Sequence, residues 1–267
     1  MILIAEKINA TRKAVASAIK DRNEKFIANL VKEQDIAGAD VIDLNSGMGE
    51  REIDKACDDM CWLVDVAKKF TEKPIAIDSE NPVVLEAGIS HANDRTVWIN
   101  SVSAEKEKLS VVLPMAAKTN ASIVCLCLSD SGIPKDLETR LLAAKSIYDK
   151  AIQLQISPEN LWFDPLVMPV ATDTGAGSMV IKAIKEIPKL CKGSRTVVGL
   201  SNISFGLPDR ASINANFLVL CMNAGLSAAI VDPTDNNLMR SYKITNTLIG
   251  NDNYCMDYIK YYRKRNK

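Results

Sequence analysis

Histidine is almost missing from this chain: His91 is the single one in 267 residues. Ser/His/Asp and Cys/His relays would both have to be built on it. Charge of one sign is missing too, since 33 Lys and Arg balance 33 Asp and Glu. Neither a nucleic-acid footprint nor an acidic tail follows from that balance. No apolar run approaches the roughly 18 residues of a membrane span. The apolar start, residues 1–5, is short, lacks a basic flank and soon meets Glu6 and Lys7, so it is read as a first strand rather than a signal peptide. Glycine-rich phosphate loops are lacking: there is no Walker-type segment and no GxGxxG after a strand, and Gly175-Ala176-Gly177 is read as a loop. The seven cysteines are odd in number and show no disulfide-like framework, which fits a reducing, cytoplasmic setting. Cys125 and Cys127 sit two apart in an apolar run and would share one face of a strand. A zinc site needs more ligands than this pair and one histidine supply, so they are read as buried small side chains and no metal site is expected.

What the chain does contain is a recurring unit. Eight short runs rich in β-branched or apolar residues lie at 2–8, 41–45, 74–79, 96–101, 121–128, 161–164, 196–202 and 228–232. Most are continuously apolar, as expected of strands covered on both faces. Amphipathic stretches separate them. Ile53, Ala56, Cys57, Met60, Leu63, Val64, Ala67 and Phe70 repeat at helical spacing. Phe26, Ile27, Leu30, Val31 and Gln34 do much the same, with Gly38 placed to close that helix. Asn81-Pro82 reads as an N-cap followed by a proline in the first turn. Eight strand–helix units without a Pro/Gly/Ser-rich linker predict an α/β fold, a single (β/α)8 TIM barrel over residues 1–267. A doubly wound sheet is the alternative, because alternation alone does not prove closure. The basic, aromatic end, residues 260–267, is read as a solvated last helical turn and tail.

The strand ends carry the chemistry. The first runs into Glu6 and Asn9, the second into Asp43 and Asn45, the third into Asp78 and the fourth into Asn100. The sixth ends at Asp164, the seventh at Asn202 and the eighth at Asp232. A barrel would gather these ends at one mouth, where such enzymes place their sites. Any one of them is equally explained as a helix cap or a loop hydrogen bond; seven together predict a mouth lined by carboxylates and carboxamides with very little positive charge. Phosphates and polycarboxylates are poor ligands for such a mouth. A flat heterocycle with several N–H donors and a carbonyl suits it, since a carboxylate accepts from a ring N–H and an adjacent amino group together. Lys7 is the one candidate for a Schiff base, but its neighbour Glu6 favours an exposed or salt-bridged lysine. His91 falls where a helix would end at the opposite face, which assigns it a structural part. The chain therefore offers binding and hydrogen bonds, and the nucleophile has to come from elsewhere.

Six segments stand in order at barrel spacing: 43–47 (Asp-Leu-Asn-Ser-Gly), 77–79 (Ile-Asp-Ser), 99–101 (Ile-Asn-Ser), 131–136 (Ser-Gly-Ile-Pro-Lys-Asp), 163–166 (Phe-Asp-Pro-Leu) and 199–204 (Gly-Leu-Ser-Asn-Ile-Ser). Together the chain resembles the methyltetrahydrofolate:corrinoid protein methyltransferases, a family of pterin-binding barrels alongside dihydropteroate synthases and the folate domain of cobalamin-dependent methionine synthase. The resemblance implies that Asp78, Asn100 and Asp164 hydrogen-bond the pterin ring, with Ser201 and Arg210 also at the folate site. It implies that Asn202 lies near N5, where the methyl group is carried. Asp43, Asn45, Glu6, Asn9 and Phe205 would support or rim the site. Tetrahydrofolate or its 5-methyl form is the implied substrate, and no tightly bound cofactor is expected. The cobalamin would arrive on a partner corrinoid protein, because the Asp-x-His-x-x-Gly cobalt-ligand pattern is missing here. A homodimer is implied as well. Two departures bear on the partner: where family members serving a corrinoid iron–sulfur protein would carry an asparagine and a glutamine, this chain has Ser103 and Phe205.

Overall fold

The strand-forming runs owe their conformation to β-branched side chains that pack well on a pleated surface. In the computed structural model, which describes residues 1–47 and 52–265, each predicted run becomes a strand. The order is β1 (Ile2–Asn9), α1 (Lys13–Lys20), α2 (Glu24–Ala37), β2 (Val41–Asn45), α3 (Ile53–Phe70), β3 (Ile75–Asp78), α4 (Pro82–His91) and β4 (Val97–Ser103). It continues through α5 (Lys106–Thr119), β5 (Ser122–Leu126), α6 (Leu137–Gln153), β6 (Leu161–Asp164), α7 (Ala176–Leu190), β7 (Arg195–Gly199) and α8 (Arg210–Asn223). Last come β8 (Ala228–Val231), α9 (Asn236–Leu248) and α10 (Met256–Arg265). The eight strands pair in sequence order, all parallel, and β8 closes on β1 with Ile2 opposite Ala228 and Ala5 opposite Val231. Closure excludes the doubly wound sheet: the fold is a (β/α)8 barrel.

Local signals act where the sequence places them. The Asn81 side chain accepts from the Val83 amide at 2.8 Å with Pro82 in the first turn of α4. Gly38 ends α2 at a φ of 102°, a left-handed conformation that costs a glycine nothing. No described helix is long and apolar enough to cross a membrane. Of the basic tail, residues up to Arg265 continue α10, and the last two lie outside the described residues.

The interior of the barrel is layered. Ile4, Val41, Ala76, Trp98, Val124, Trp162, Val197 and Ala228, one from each strand, form a single buried cluster. The rings of Trp98 and Trp162 meet there with centroids 4.6 Å apart. This plug makes the barrel a packed core rather than a pore. Because successive strand residues point to opposite faces, the residue two further along each strand also points inward. Those residues are Glu6, Asp43, Asp78, Asn100, Leu126, Asp164, Gly199 and Ile230. The other strand face, with Ile42, Leu44, Ile77, Ile99, Ile123 and Phe163, packs against the helices. Cys125 and Cys127 belong to that helix-facing core, and both thiols are buried.

Four expectations need correction. β7 stops at Gly199, and 200–202 belong to a 3-10 turn, Leu200–Ser204, so Asn202 is not a strand residue. β4 runs past Asn100 to Ser103, with its register against β5 shifting between Asn100 and Val102. β5 ends at Leu126 rather than 128. Ala176 and Gly177 open α7 instead of lying in a loop. In each case backbone hydrogen bonding, rather than the extent of an apolar run, sets the boundary.

Candidate functional site

All eight residues of the second inward layer line one cavity of about 650 Å³ at the C-terminal mouth. Four of them are acids and one is a carboxamide; Asp43, Asn100 and Asp164 are buried and Glu6 and Asp78 half-buried, where an unpaired polar group is costly. The protein pairs them across strands. Asn45 stands opposite Asp78 on β3, and its Nδ2 donates to Asp78 Oδ2 at 2.7 Å. Asn100 stands opposite Asp78 on β4, but its Nδ2 donates past it to Asp43 Oδ1 at 3.1 Å. Asp164 Oδ1 accepts the Leu166 amide at 2.7 Å. That amide is presented by Leu166 in a left-handed backbone conformation, φ 65°.

Burial of several acids together alters their proton affinity. Burial pushes Asp78 up to about 6, opposed by the Asn45 amide and reinforced by Glu80. Burial also pushes Asp164 up to about 6, against the Leu166 and Gly199 amides and the Arg140 guanidinium. Asp43 is raised well above the carboxylate range by burial and by the adjacent Asp78, with Asn100 pulling the other way. Glu6 is raised by burial, against the Ser201 hydroxyl and Arg12. Acids raised in this way keep a proton more readily than ordinary carboxyls, so the set can offer donors as well as acceptors to a heterocyclic edge with N–H, amino and carbonyl groups side by side.

The opposite wall is the turn after β7. Ser201 Oγ donates to Glu6 Oε2 at 3.2 Å. Arg210, the first residue of α8, braces this turn: Nη2 donates to the Ser201 carbonyl at 2.8 Å and Nε donates to Ser204 Oγ at 3.0 Å. Asn202 is exposed at the cavity, and its carboxamide nitrogen lies over Gly199, 3.3 Å from where a Cβ there would stand.

Of the residues singled out in the sequence, Asn202, Asp78, Asn100, Asp164, Ser201, Arg210, Glu6, Asn9 and Asp43 all line this cavity. Asn45 lies behind Asp78, holding it and the Gly47 amide. Phe205 is turned outward, 65% exposed, with the Arg210 guanidinium 5.9 Å from its ring. Ser103 is buried and donates to Glu105 at 2.5 Å. His91 ends α4 at the other face of the barrel, 2.8 Å from Asp65. Lys7 is 3.8 Å from Asp232 and donates to Thr234 at 2.9 Å, a salt-bridged lysine whose partner is Asp232, not Glu6. Among the described residues no group of His, Cys, Asp or Glu is disposed to hold a metal ion.

The cavity also contains residues that the sequence reading passed over. Arg12, 4.0 Å from Glu6, adds a second guanidinium beside Arg210, so the mouth is less devoid of positive charge than its strand ends imply. Asn9 positions it by accepting from the Thr11 amide and hydroxyl at 2.9 and 2.7 Å. Asn214 lines the cavity with a buried Oδ1 that has no hydrogen-bond partner. Its signal was its place one helical turn after Arg210, on the same face of α8. Leu126 and Ile230 were findable by the same two-residue step from Val124 and Ala228.

Comparison with known proteins agrees with this geometry. The family described as "Pterin binding enzyme" matches residues 5–232. A methylcorrinoid:tetrahydrofolate methyltransferase of Eubacterium limosum is 33% identical over 267 residues, 99% of this chain and 97% of that one. A methionine synthase of Mycobacterium tuberculosis is 29% identical over 86% of this chain, which corresponds to 20% of that longer protein. Among solved structures, dihydropteroate synthases of Stenotrophomonas maltophilia and Yersinia pestis superpose with TM-scores of 0.71 and 0.69. They share 15% and 14% identity, cover 92% and 93% of this chain and 92% and 94% of their own, and so speak for the fold alone.

Proposed function

The chain belongs to the pterin-binding enzyme family, and on that premise we propose that it is a methyltransferase moving a methyl group between N5 of tetrahydrofolate and the cobalt of a corrinoid on a partner protein. The whole chain, 1–267, acts in this reading as one barrel domain. The observation that carries it is the division of the cavity: buried, cross-linked acids and amides from β2, β3, β4 and β6 face the exposed carboxamide of Asn202 on the turn after β7. The full-length similarity to a methylcorrinoid:tetrahydrofolate methyltransferase supports it.

Asp78, Asn100 and Asp164 bind the amino-pyrimidinone edge of the pterin, and Asp43 and Asn45 hold two of them in place. A site built to hydrogen-bond such an edge rejects ligands that lack it, because its buried groups would be left unpaired. Asn202 stabilises the state of N5 from which the methyl group leaves, without itself supplying a proton. Ser201 and Arg210 hold that turn, Glu6 and Asn9 line the rim, and Phe205 stands outside it toward an incoming partner. The strong nucleophile, reduced cobalt, is a co-substrate, which accounts for a mouth without catalytic Ser, Cys or His. A homodimer in the cytoplasm is the expected state of the enzyme.

The test is anaerobic absorbance with two pairs, 5-methyltetrahydrofolate plus cob(I)alamin, and methylcob(III)alamin plus tetrahydrofolate. Enzyme-dependent conversion in either direction supports the reading. The absence of both conversion and folate binding overturns it. Asn202→Ala is expected to keep folate binding and to lose turnover by on the order of 100-fold; normal turnover would remove the role given to that residue.

A further inference from the structure

Methyl transfer at N5 exchanges a proton as well as a methyl group. When N5 is the donor, the N–C bond breaks, its electron pair returns to N5, and N5 finishes the cycle with a proton. When N5 is the acceptor, its N–H proton must leave as the N–C bond forms. Asn202 has no proton of suitable acidity to give, so another group must hold it.

Most acids of the cavity are committed elsewhere. Asp78 is tied to Asn45, Asp43 to Asn100, and Asp164 to the backbone amides of Leu166 and Gly199. Glu6 differs. Among the described residues it is the cavity carboxyl bonded to a side-chain hydroxyl of the turn bearing Asn202, that of the preceding residue, Ser201, at 3.2 Å. Its carboxyl projects from β1 in the same inward layer as the other acids. Arg12 faces it from the β1–α1 turn at 4.0 Å, Asp43 from β2, Arg210 from α8 and Asp232 from the end of β8.

Resting on the methyl-transfer reading, we infer that Glu6 holds the proton exchanged with N5 and passes it through the hydroxyl of Ser201. With Glu6 protonated, its O–H donates to Ser201 Oγ, leaving the Ser201 O–H free to face N5. Moving one proton along each bond puts a proton on N5, restores the Ser201 hydroxyl and leaves Glu6 as a carboxylate accepting from Ser201 across the same 3.2 Å contact. The reverse sequence carries the N5 proton out when N5 takes up a methyl group, so one pair of residues serves both directions. Burial favours the protonated acid, while the Ser201 hydroxyl and Arg12 favour the carboxylate. Glu6 acts through Ser201 and is thus a positioning and proton-holding residue.

The experiment is single-turnover methyl transfer from 5-methyltetrahydrofolate to cob(I)alamin as a function of pH, with folate affinity measured alongside by calorimetry. The wild-type rate should rise as pH falls through the titration of Glu6. Glu6→Gln, whose amide carbonyl still accepts from Ser201, should bind folate normally, transfer on the order of 100-fold more slowly and lose that limb of the profile. Ser201→Ala should reproduce the loss with Glu6 intact. Arg12→Gln should move the inflection to higher pH, since a cation beside the carboxylate is removed. A Glu6→Gln enzyme with lower folate affinity and an unchanged profile would make Glu6 a binding residue and overturn the inference, as would a wild-type rate in either Glu6→Gln or Ser201→Ala. If Glu6→Gln does not fold, the Ser201→Ala and Arg12→Gln profiles decide alone. Wild-type protein that neither transfers a methyl group nor binds folate would instead overturn the underlying reading.

Discussion

Asn45 and Asp78 stand level on neighbouring strands, and the Asn45 amide donates to Oδ2 of Asp78 at 2.7 Å. This bond holds a half-buried carboxyl in the cavity without neutralising it by a cation. Desolvation raises Asp78 to about 6, against an ordinary value of 3.8, with the Asn45 amide pulling the other way. An acid kept there for a ligand weakens the unliganded fold.

Asp78→Asn should therefore stabilise the unliganded protein. The unfolded chain releases its Asp proton near 3.8 and the folded chain only near 6. Between those values the unfolded state binds fewer protons, so stability falls as pH rises and stays low above the window. Removing that penalty is worth roughly 1–3 kcal/mol at pH 7, a rise of several degrees in Tm. Below pH 4 the gain should vanish. Melting curves at both pH values check this, and equal destabilisation at both would refute it. Folate binding should be lost in the same variant, since its amide cannot accept a paired N–H edge.

Gly199→Ala tests the placement of Asn202. A Cβ at 199 would sit 3.3 Å from the Asn202 carboxamide nitrogen, which must then move by a few tenths of an ångström. Stability should change by less than about 1 kcal/mol, while kcat falls and folate affinity stays. Equal loss of affinity would mean that Gly199 itself contacts the pterin.

Arg140 is a buried cation that donates to the carbonyls of Pro165 and Leu166 and so fixes the segment whose amide holds Asp164. Arg140→Met strands those carbonyls and should cost about 2–4 kcal/mol. Arg140→Lys, with one point charge in place of the guanidinium fork, should recover part of it. Denaturant titration measures both, and a neutral Arg140→Met would show that the segment holds itself.

Gly88 is where α4 packs tightest against the barrel. An added Cβ would meet Ile77 Cγ2 at 2.7 Å and Met60 Cγ at 2.9 Å. Gly88→Ala gains about 1 kcal/mol of helix propensity but overpacks by about 1–3 kcal/mol, so a net loss is expected. Because Ile77 precedes Asp78, folate affinity should fall too. A higher Tm with unchanged affinity would show that the helix shifts freely.

Much of this was readable in one dimension. The strand runs, the Asn81 cap, the Gly38 stop and the acids at strand ends are local, because backbone propensity and side-chain periodicity act within a few residues. Asn202 was legible as a residue and misjudged as part of a strand: an apolar run does not say where interstrand hydrogen bonding stops. Nothing beside Arg12 in the chain marks it, and Asn214 is marked only by its helical spacing from Arg210; barrel closure brings the β1–α1 turn and α8 to the same mouth.

What the sequence by itself determined is the inventory and its parity: an apolar residue and, two positions on, a polar one, in five of the eight strands. Tertiary structure decided that these positions form two concentric layers, a Trp-centred plug and a ring of acids above it. It also decided which acid bonds to which amide, Asn45 to Asp78 but Asn100 to Asp43. Parity is set by the geometry of a single strand, whereas partner choice depends on the stagger between strands, which is set only when all eight close together.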